Sequence, residues 1–256
     1  KEITEKLKSL GFPEDQIFPF RYPPRISINE FSEKYLEGYE WAYDFFQDEV
    51  SKQLVINRVR SYLLSETLIP DSRSELYYED GIISLGEREV FVDGGAYNGD
   101  SAERFIQRVD GKYSHIYAFE PDLAAYGHAV RNLSEYKNVD VISKGLWNFD
   151  GHRPFYCGGF TASTFVTVSS DYHMQIAPVT SLDIFFKEKL DNEMPTFIKA
   201  DVEGAEKEVL HGAENIIRRV KPRLAICAYH KPEDIYELPQ TILGIRDDYR
   251  CTLRQY

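Results

Sequence analysis

The chain has 256 residues, of which 43% are hydrophobic and 28% are charged, as is typical of a soluble globular protein. No apolar run approaches the roughly 20 residues that a membrane span requires, so we expect no membrane partner. The net charge of −12 argues against a nucleic-acid partner, because phosphate binding needs clustered lysine and arginine. A small or neutral acceptor suits this charge better.

Cysteine content and the first residues bear on location. Cys157, Cys227 and Cys251 are too widely spaced for a disulfide framework or a zinc site, so we expect reduced thiols. Residues 1–6 are mostly charged and carry no signal-peptide pattern. Both features favour a cytoplasmic protein.

Residues 1–87 show helical periodicity followed by a linker. Aromatic residues recur at spacings of three and four over 32–46, behind a serine that could cap the helix. A second such period covers 55–63 behind Asp48, and the polar stretch 65–86 is typical of a linker. We predict an N-terminal helical region that could act as a lid, form a homodimer surface or pack against the next domain.

Residues 88–256 alternate short apolar strands with helices, the pattern of a mostly parallel, doubly wound α/β sheet. Strands are predicted near 89–93, 115–120, 139–143, 196–201, 223–229 and 249–255. Helices are predicted near 101–109, from Asp122, over 205–220 with an interruption near Gly212, and after Pro232. Within 147–157, the Asp150-Gly151 pair predicts a β-hairpin.

A glycine-rich loop connects the first predicted strand to its helix. Its glycines are Gly94, Gly95 and Gly99. Glycine lets backbone approach a ligand closely because it has no Cβ, but this spacing is not the Gly-x-Gly-x-x-Gly pattern that seats a pyrophosphate. The loop suits S-adenosylmethionine, which has no phosphate and whose amino and carboxylate ends could bind Asp93, Asn98 and backbone amides.

Charged residues follow three predicted strands at the carboxyl edge of the sheet, where ligands bind in open α/β folds. Glu120 ends the second strand and could accept hydrogen bonds from ribose hydroxyls. Asp201 and Glu203 could orient or deprotonate a hydroxyl, or hold a divalent cation. His230 is the leading candidate for a base because its reference pKa is near 6.5, although it could equally hydrogen-bond its own loop.

Two assignments at this edge stay open. Glu206 lies in the first turn of a predicted helix, where its charge favours the helix N-terminus. No metal is assigned, and if one binds, its expected ligands are Asp201, Glu203 and His230.

Four motifs occur in the order and at the spacing of the FkbM family of methyltransferases, which the sequence resembles over 88–256. They are Asp93-Gly94-Gly95-Ala96-Tyr97-Asn98-Gly99-Asp100-Ser101, Phe119-Glu120-Pro121, Asp201-Val202-Glu203-Gly204-Ala205-Glu206 and Tyr229-His230-Lys231-Pro232-Glu233-Asp234. The resemblance implies a Rossmann-like class I fold with a seven-stranded sheet. It also implies S-adenosylmethionine as donor and O-methylation of a hydroxyl on a sugar, glycan or natural product. Family members usually continue past a segment like 252–256 into a last strand.

The resemblance also assigns roles to single residues. It places the glycine loop at the methionine end of the cofactor, Glu120 at the ribose, and the segment Gly145-Leu146-Trp147 by the adenine. The predicted cofactor-binding residues are Asp93, Gly94, Gly95, Asn98, Gly99, Ser101, Glu120, Pro121 and Trp147. The predicted catalytic residues are His230, Asp201 and Glu203, which would face the transferred methyl group.

Two other functions fit parts of this pattern. A nicotinamide-dependent Rossmann oxidoreductase also places an acidic residue on a ribose, although the glycine spacing argues against it. A catalytically silent module that binds adenosylmethionine would keep the loop without needing Asp201, Glu203 and His230.

Overall fold

The computed structural model describes residues 26–64, 77–79, 81–157, 163–165, 173–190 and 193–255. The chain forms two compact units, one of Lys1–Pro70 with Leu253–Gln255 and the other of Asp71–Thr252. Most of the predicted linker, residues 65–76 and 80, lies outside the described residues. The predicted division at residue 87 stays a prediction. Among the described helices, none is both long enough and apolar enough to cross a bilayer.

The described residues of the first unit form three helices: α1 (Ile28–Lys34), α2 (Leu36–Phe45) and α3 (Glu49–Leu64). The predicted helix over 32–46 is therefore two helices that meet at Tyr35. The serine expected to cap this helix, Ser32, lies inside α1, and the cap is instead Ser27, whose hydroxyl accepts the N–H of Glu30 at 3.2 Å. Asp48 precedes α3 as predicted, and its Oδ1 accepts the N–H of Ser51 at 3.0 Å.

The predicted strand at 249–255 is wrong, because these residues form no strand. Within the helical unit, the N–H of Leu253 donates to Ser51 Oγ at 2.7 Å. Arg254 Nη1 lies 2.9 Å from Asp48 Oδ1. The tail therefore bonds to helical side chains, so its backbone does not extend a sheet.

The second unit contains a parallel sheet with the strand order β3-β2-β1-β7-β8. Its strands are β1 (Val90–Gly94), β2 (His115–Phe119), β3 (Val139–Ile142), β7 (Phe197–Ala200) and β8 (Arg223–Ile226). Its helices are α4 (Asp100–Arg108), α5 (Leu123–Leu133), α6 (Leu182–Phe185), α7 (Glu206–Gly212), α8 (Glu214–Val220) and α9 (Asp234–Ile245). The predicted doubly wound α/β class is confirmed. The described residues supply five strands to this sheet, not the seven that the resemblance implies.

Both faces of this sheet are covered, because alternate residues of each strand point to opposite sides. On one face, Phe91 stacks between Phe105 at 4.4 Å and Phe197 at 5.1 Å, measured between ring centroids. On the other face, Val92 and Ile198 join the larger apolar cluster under the helices after β7 and β8. Strands buried on both sides explain the near-continuous apolar runs in the sequence.

A small second sheet has the order β4-β6-β5, with β4 (Gly145–Leu146), β5 (Gly151–Cys157) and β6 (His173–Thr180). The predicted hairpin around Asp150-Gly151 is wrong, since β5 pairs antiparallel with β6 along its whole length. Asp150 Oδ1 instead accepts from the Thr180 hydroxyl at 2.6 Å and the Ser181 N–H at 3.2 Å. The Asp-Gly pair thus begins a strand whose partner lies some twenty residues later.

The predicted interruption near Gly212 is confirmed, and packing explains it. Here α7 ends and α8 begins two residues later. A Cβ on Gly212 would lie 2.0 Å from the backbone oxygen of Trp147. Only glycine lets the helix pass this close to the backbone that follows β4.

We expect Gly212→Ala to destabilise the protein by about 1–3 kcal/mol or more, because backbone atoms cannot yield to the added methyl group. Gly244→Ala is the matched control, since a Cβ on this glycine in α9 meets nothing within 4 Å. That change should stabilise by roughly 0.5–1 kcal/mol through helix propensity. Urea unfolding of both variants measures the difference, and equal effects would contradict the packing account.

Candidate active site

A cavity of about 360 Å³ opens at the carboxyl edge of the parallel sheet. The loops after β1, β2, β7 and β8 each contribute to its wall. The lining residues include Gly95, Tyr97, Ser101, Glu120, Pro121, Asp122, Leu146, Lys199, Asp201, Glu203 and Tyr229. A cavity at this edge is where open α/β sheets bind their ligands.

The glycine loop approaches the end of β7 more closely than a side chain would allow. Gly95 has φ +74°, and a Cβ there would lie 1.9 Å from the backbone oxygen of Asp201. Its N–H and that of Ala96 both donate to Phe119 O at 3.0 Å, which ties the loop to β2. Glycine at position 95 therefore permits both the left-handed turn and the narrow gap.

A buried ion pair lies directly beneath this loop. Lys199 Nζ is 3.0 Å from Asp93 Oδ1, and the two side chains are 3% and 0% exposed. The same ammonium donates to Gly94 O at 3.2 Å and to Gly95 O at 2.8 Å. The other Asp93 oxygen accepts the Ser101 hydroxyl at 2.5 Å. One lysine thus joins β7 to the end of β1 and fixes two loop carbonyls.

We expect Lys199→Met to lower the free energy of unfolding by about 3–5 kcal/mol, because it leaves the Asp93 carboxylate buried without its partner. Lys207→Met is the matched control. Lys207 pairs with Glu237 at 2.7 Å, but both side chains are well exposed. Its loss should therefore change stability by less than about 1 kcal/mol. Urea denaturation measures both, and similar losses would contradict a special role for the buried pair.

Glu120 is held by backbone donors at the end of β2. Its carboxylate oxygens accept the Tyr97 N–H at 2.8 Å and the Asp122 N–H at 2.9 Å. Burial raises the pKa of Glu120 to about 7, against the lowering effect of these hydrogen bonds. The carboxyl group at the predicted ribose position therefore changes charge near neutral pH.

Two tyrosines hold Asp201. The hydroxyl of Tyr229 donates to Asp201 Oδ1 at 2.8 Å, and that of Tyr77 donates to Oδ2 at 3.1 Å. Burial, together with nearby negative groups that include Asp201, raises the pKa of both tyrosines far above the ordinary value. Both hydroxyls therefore stay protonated as donors, and the Asp201 carboxylate is fixed at the cavity wall.

His230 lies beside Asp201 among further carboxylates. Its Nε2 is 3.6 Å from Asp201 Oδ1 and 3.5 Å from Glu203 Oε2, and its Nδ1 is 3.1 Å from Glu206 Oε1. Burial opposes a charged ring, but Glu203 and Glu206 outweigh it and raise the pKa of His230 to about 10. The predicted role of His230 as base stays a prediction.

The structure brings some of the predicted site residues to the cavity and not others. The predicted residues that line the cavity are Gly95, Ser101, Glu120, Pro121, Asp201 and Glu203. The predicted residues outside its lining are Asp93, Gly94, Asn98, Gly99, Trp147 and His230. Their predicted roles stay predictions.

Four of the residues outside the lining have a structural reason for their place. Asp93 faces Lys199, and Gly99 begins α4 with φ +90°. Asn98 receives Asp100 N–H at 3.2 Å, a local turn contact. Trp147 is buried beneath the guanidinium of Arg153 at 4.0 Å, whereas Leu146 beside it does reach the cavity.

Sequence reasoning missed three contributors to the site. Lys199 had a signal, since it is a charged residue inside an apolar strand that is buried throughout. Tyr77 had none, because it lies far upstream of the four motifs. Glu206 was interpreted as a charge at a helix N-terminus, but it is 1% exposed and its Oε1 accepts the Val202 N–H at 2.9 Å.

A known protein family matches the part of the chain that supplies most of this cavity. The model of the methyltransferase FkbM domain matches residues 93–250, more than half of the chain. The chain belongs to the methyltransferase FkbM family. The family predicted from the four motifs is thus confirmed, and the matched range includes every cavity residue named above except Tyr77. No curated protein matches the sequence.

Two solved structures are similar to this FkbM family member. A methyltransferase FkbM from Methylobacillus flagellatus KT superposes with a TM-score of 0.68 and 27% identity, over 86% of this chain and 55% of that one. The present chain therefore spans about half of that protein. An rRNA methylase from Streptococcus thermophilus matches with a TM-score of 0.37 and 20% identity, over 62% of this chain and 72% of the methylase.

Proposed function

We propose that this FkbM family member transfers the methyl group of S-adenosylmethionine to a hydroxyl oxygen on a sugar, glycan or natural-product acceptor. One observation carries the proposal. The cavity described above is lined by Gly95 of the glycine loop and by Glu120, and also by Asp201 and Glu203. A donor site and carboxylates suited to a hydroxyl therefore face the same space.

The donor half of the cavity matches the chemistry of adenosylmethionine. Gly95, Ser101 and Lys199 line the wall where we propose that the amino-acid end binds. In this proposal Glu120 accepts hydrogen bonds from the ribose. No pyrophosphate is needed to occupy such a loop.

The acceptor half supplies carboxylates with access to the cavity. Asp201 and Glu203 both line it, and the Glu203 side chain is 37% exposed. His230 does not line the cavity, so its position favours Glu203 or Asp201 as the group that takes the acceptor proton. We therefore propose that Glu203 or Asp201, and not His230, acts as the base.

The proposed step is a direct displacement. A lone pair of the acceptor oxygen attacks the sulfonium methyl carbon, and the carbon–sulfur bond breaks with its electrons moving to sulfur. The products are a methyl ether and S-adenosylhomocysteine, and the hydroxyl proton passes to a carboxylate. The protein contributes mainly by aligning oxygen, carbon and sulfur.

The charge of the cavity supports a neutral acceptor. Its lining contains the carboxyl groups of Asp100, Glu120, Asp122, Asp201 and Glu203, and two cationic groups, Arg104 and Lys199. Lys199 is already paired with Asp93. An acidic wall repels phosphate, so we propose a hydroxylated small molecule or glycan and not a nucleic acid.

Calorimetric titration with S-adenosylhomocysteine and with NADH tests the donor assignment. We expect the homocysteine product to bind one site and NADH to show no saturable binding, because the loop lacks a pyrophosphate seat. Binding of NADH alone would favour the oxidoreductase alternative and overturn the proposal.

A module that binds adenosylmethionine without catalysing a reaction would also bind S-adenosylhomocysteine in that titration. Methyl transfer is therefore measured separately. Incubation with methyl-labelled donor and a panel of sugars and hydroxylated natural products should place label on an acceptor oxygen. Binding of the cofactor product without label on any acceptor would favour the silent module.

The affinity for S-adenosylhomocysteine should rise with pH through the pKa of Glu120, which is about 7. Only the ionised carboxylate accepts strongly from both ribose hydroxyls, and its population grows about tenfold between pH 6 and pH 8. Titrations at both pH values should show a gain near that size. Glu120→Gln is the control and should bind weakly with little pH dependence. An unchanged slope in this variant would contradict the assignment.

A further inference from the structure

A second group of polar side chains lies where the loops after β7 and β8 meet. Asp201, Glu206 and His230 each bring one potential ligand atom to within 4.8 Å of the others. Glu206 is 1% exposed, and the side chain of His230 is 10% exposed. The cluster is therefore withdrawn from water, although Asp201 also reaches the cavity.

The side chains of this cluster lie close together, but three of their polar atoms make no hydrogen bond within the described residues. The ring nitrogens of His230 lie 3.1 Å from Glu206 Oε1 and 3.6 Å from Asp201 Oδ1. Neither ring nitrogen has a hydrogen-bond partner among the described residues, and neither has Glu206 Oε2. The ring nitrogens still have carboxylates at ion-pair distance, but Glu206 Oε2 has no such partner, and a buried oxygen in this state indicates a partner other than protein.

The spacing suits ligands that surround a metal ion. One ligand atom from each of Asp201, Glu206 and His230 lies within 4.8 Å of the other two, so the three side chains surround a space that one ion can share. The ring nitrogen that does not bind the ion needs an acceptor, as in metal-bound histidines generally. Whichever nitrogen binds, the other faces a carboxylate, since Nδ1 is beside Glu206 and Nε2 is 3.5 Å from Glu203.

We infer that Asp201, Glu206 and His230 form a binding site for one divalent transition-metal ion at the rim of the cavity. One imidazole with two carboxylates favours Mn²⁺ or Zn²⁺ over Mg²⁺ and Ca²⁺, which prefer oxygen ligands alone. The site differs from the set expected from sequence, because Glu206 replaces Glu203 as the third ligand.

Charge supports the same inference. Asp201, Glu203 and Glu206 place three carboxylates around one imidazole. A divalent ion would offset this excess and displace the ring proton. Asp201 also lines the cavity, so an ion held by this carboxylate would lie beside the space proposed for the acceptor and would supply Lewis-acid chemistry there. Binding of the ion itself does not depend on the methyl donor.

The test is direct binding of Mn²⁺ and Zn²⁺ to the full 256-residue chain after removal of metal with a chelator. Free Mn²⁺ is followed by electron paramagnetic resonance, and Zn²⁺ by competition with a chromogenic chelator. We expect one equivalent of at least one ion to bind. His230→Ala and Glu206→Gln should each weaken binding by about tenfold or more, because each removes a ligand.

His211→Ala is the matched control, because His211 lies on α7 near the site but is exposed. It should bind the ion as the unchanged protein does. Failure of the unchanged protein to bind either ion saturably at a one-to-one ratio would overturn the inference, as would equal affinity in His230→Ala. Circular dichroism checks folding, and His230→Gln replaces any ligand variant that does not fold. No donor or acceptor is present, so this result is separate from that of the proposed function.

Discussion

Lys199 and Asp93 face each other between the two central strands of the sheet, with Nζ and Oδ1 3.0 Å apart and almost no contact with water. A charge buried this deeply is tolerated only when it is paired and hydrogen-bonded, and the lysine meets this need with two loop carbonyls as well. The pair therefore fixes the glycine loop relative to the end of β7. The loop after β1 and the segment after β7, which this pair joins, both line the cavity.

The close approach at Gly95 follows from the same junction. With its backbone pressed against Asp201, the loop leaves a cavity bounded by Glu120 on one side and by Asp201 and Glu203 on the other. The parallel register brings these groups together, because the carboxyl ends of neighbouring strands lie at one edge of the sheet. Asp201 belongs to both sites, because it lines the cavity and is also part of the cluster with His230 and Glu206.

Predictions from local pattern held where the structure is local. Period and capping chemistry predicted the strands at 89–93 and 196–201, the helix after Asp122 and the break near Gly212, and each is present within a residue or two. The hairpin at Asp150-Gly151 failed because its turn signal is local but the partner of β5 is the distant β6. The last strand failed because Leu253 bonds to a helix side chain, a contact that no alternation reveals.

The sequence by itself determined the class of fold, the family and the edge at which the charged groups gather. Strand period, glycine spacing and the order of the four motifs are properties of neighbouring residues, so they can be read without coordinates. Tertiary structure alone decided which side chains reach the cavity. In the folded chain, Asp93 is buried against Lys199. His230 lies beside Asp201, and Glu206 Oε1 is in contact with the His230 ring. These outcomes depend on distances between segments that are far apart in the chain, and local sequence patterns do not reveal such distances.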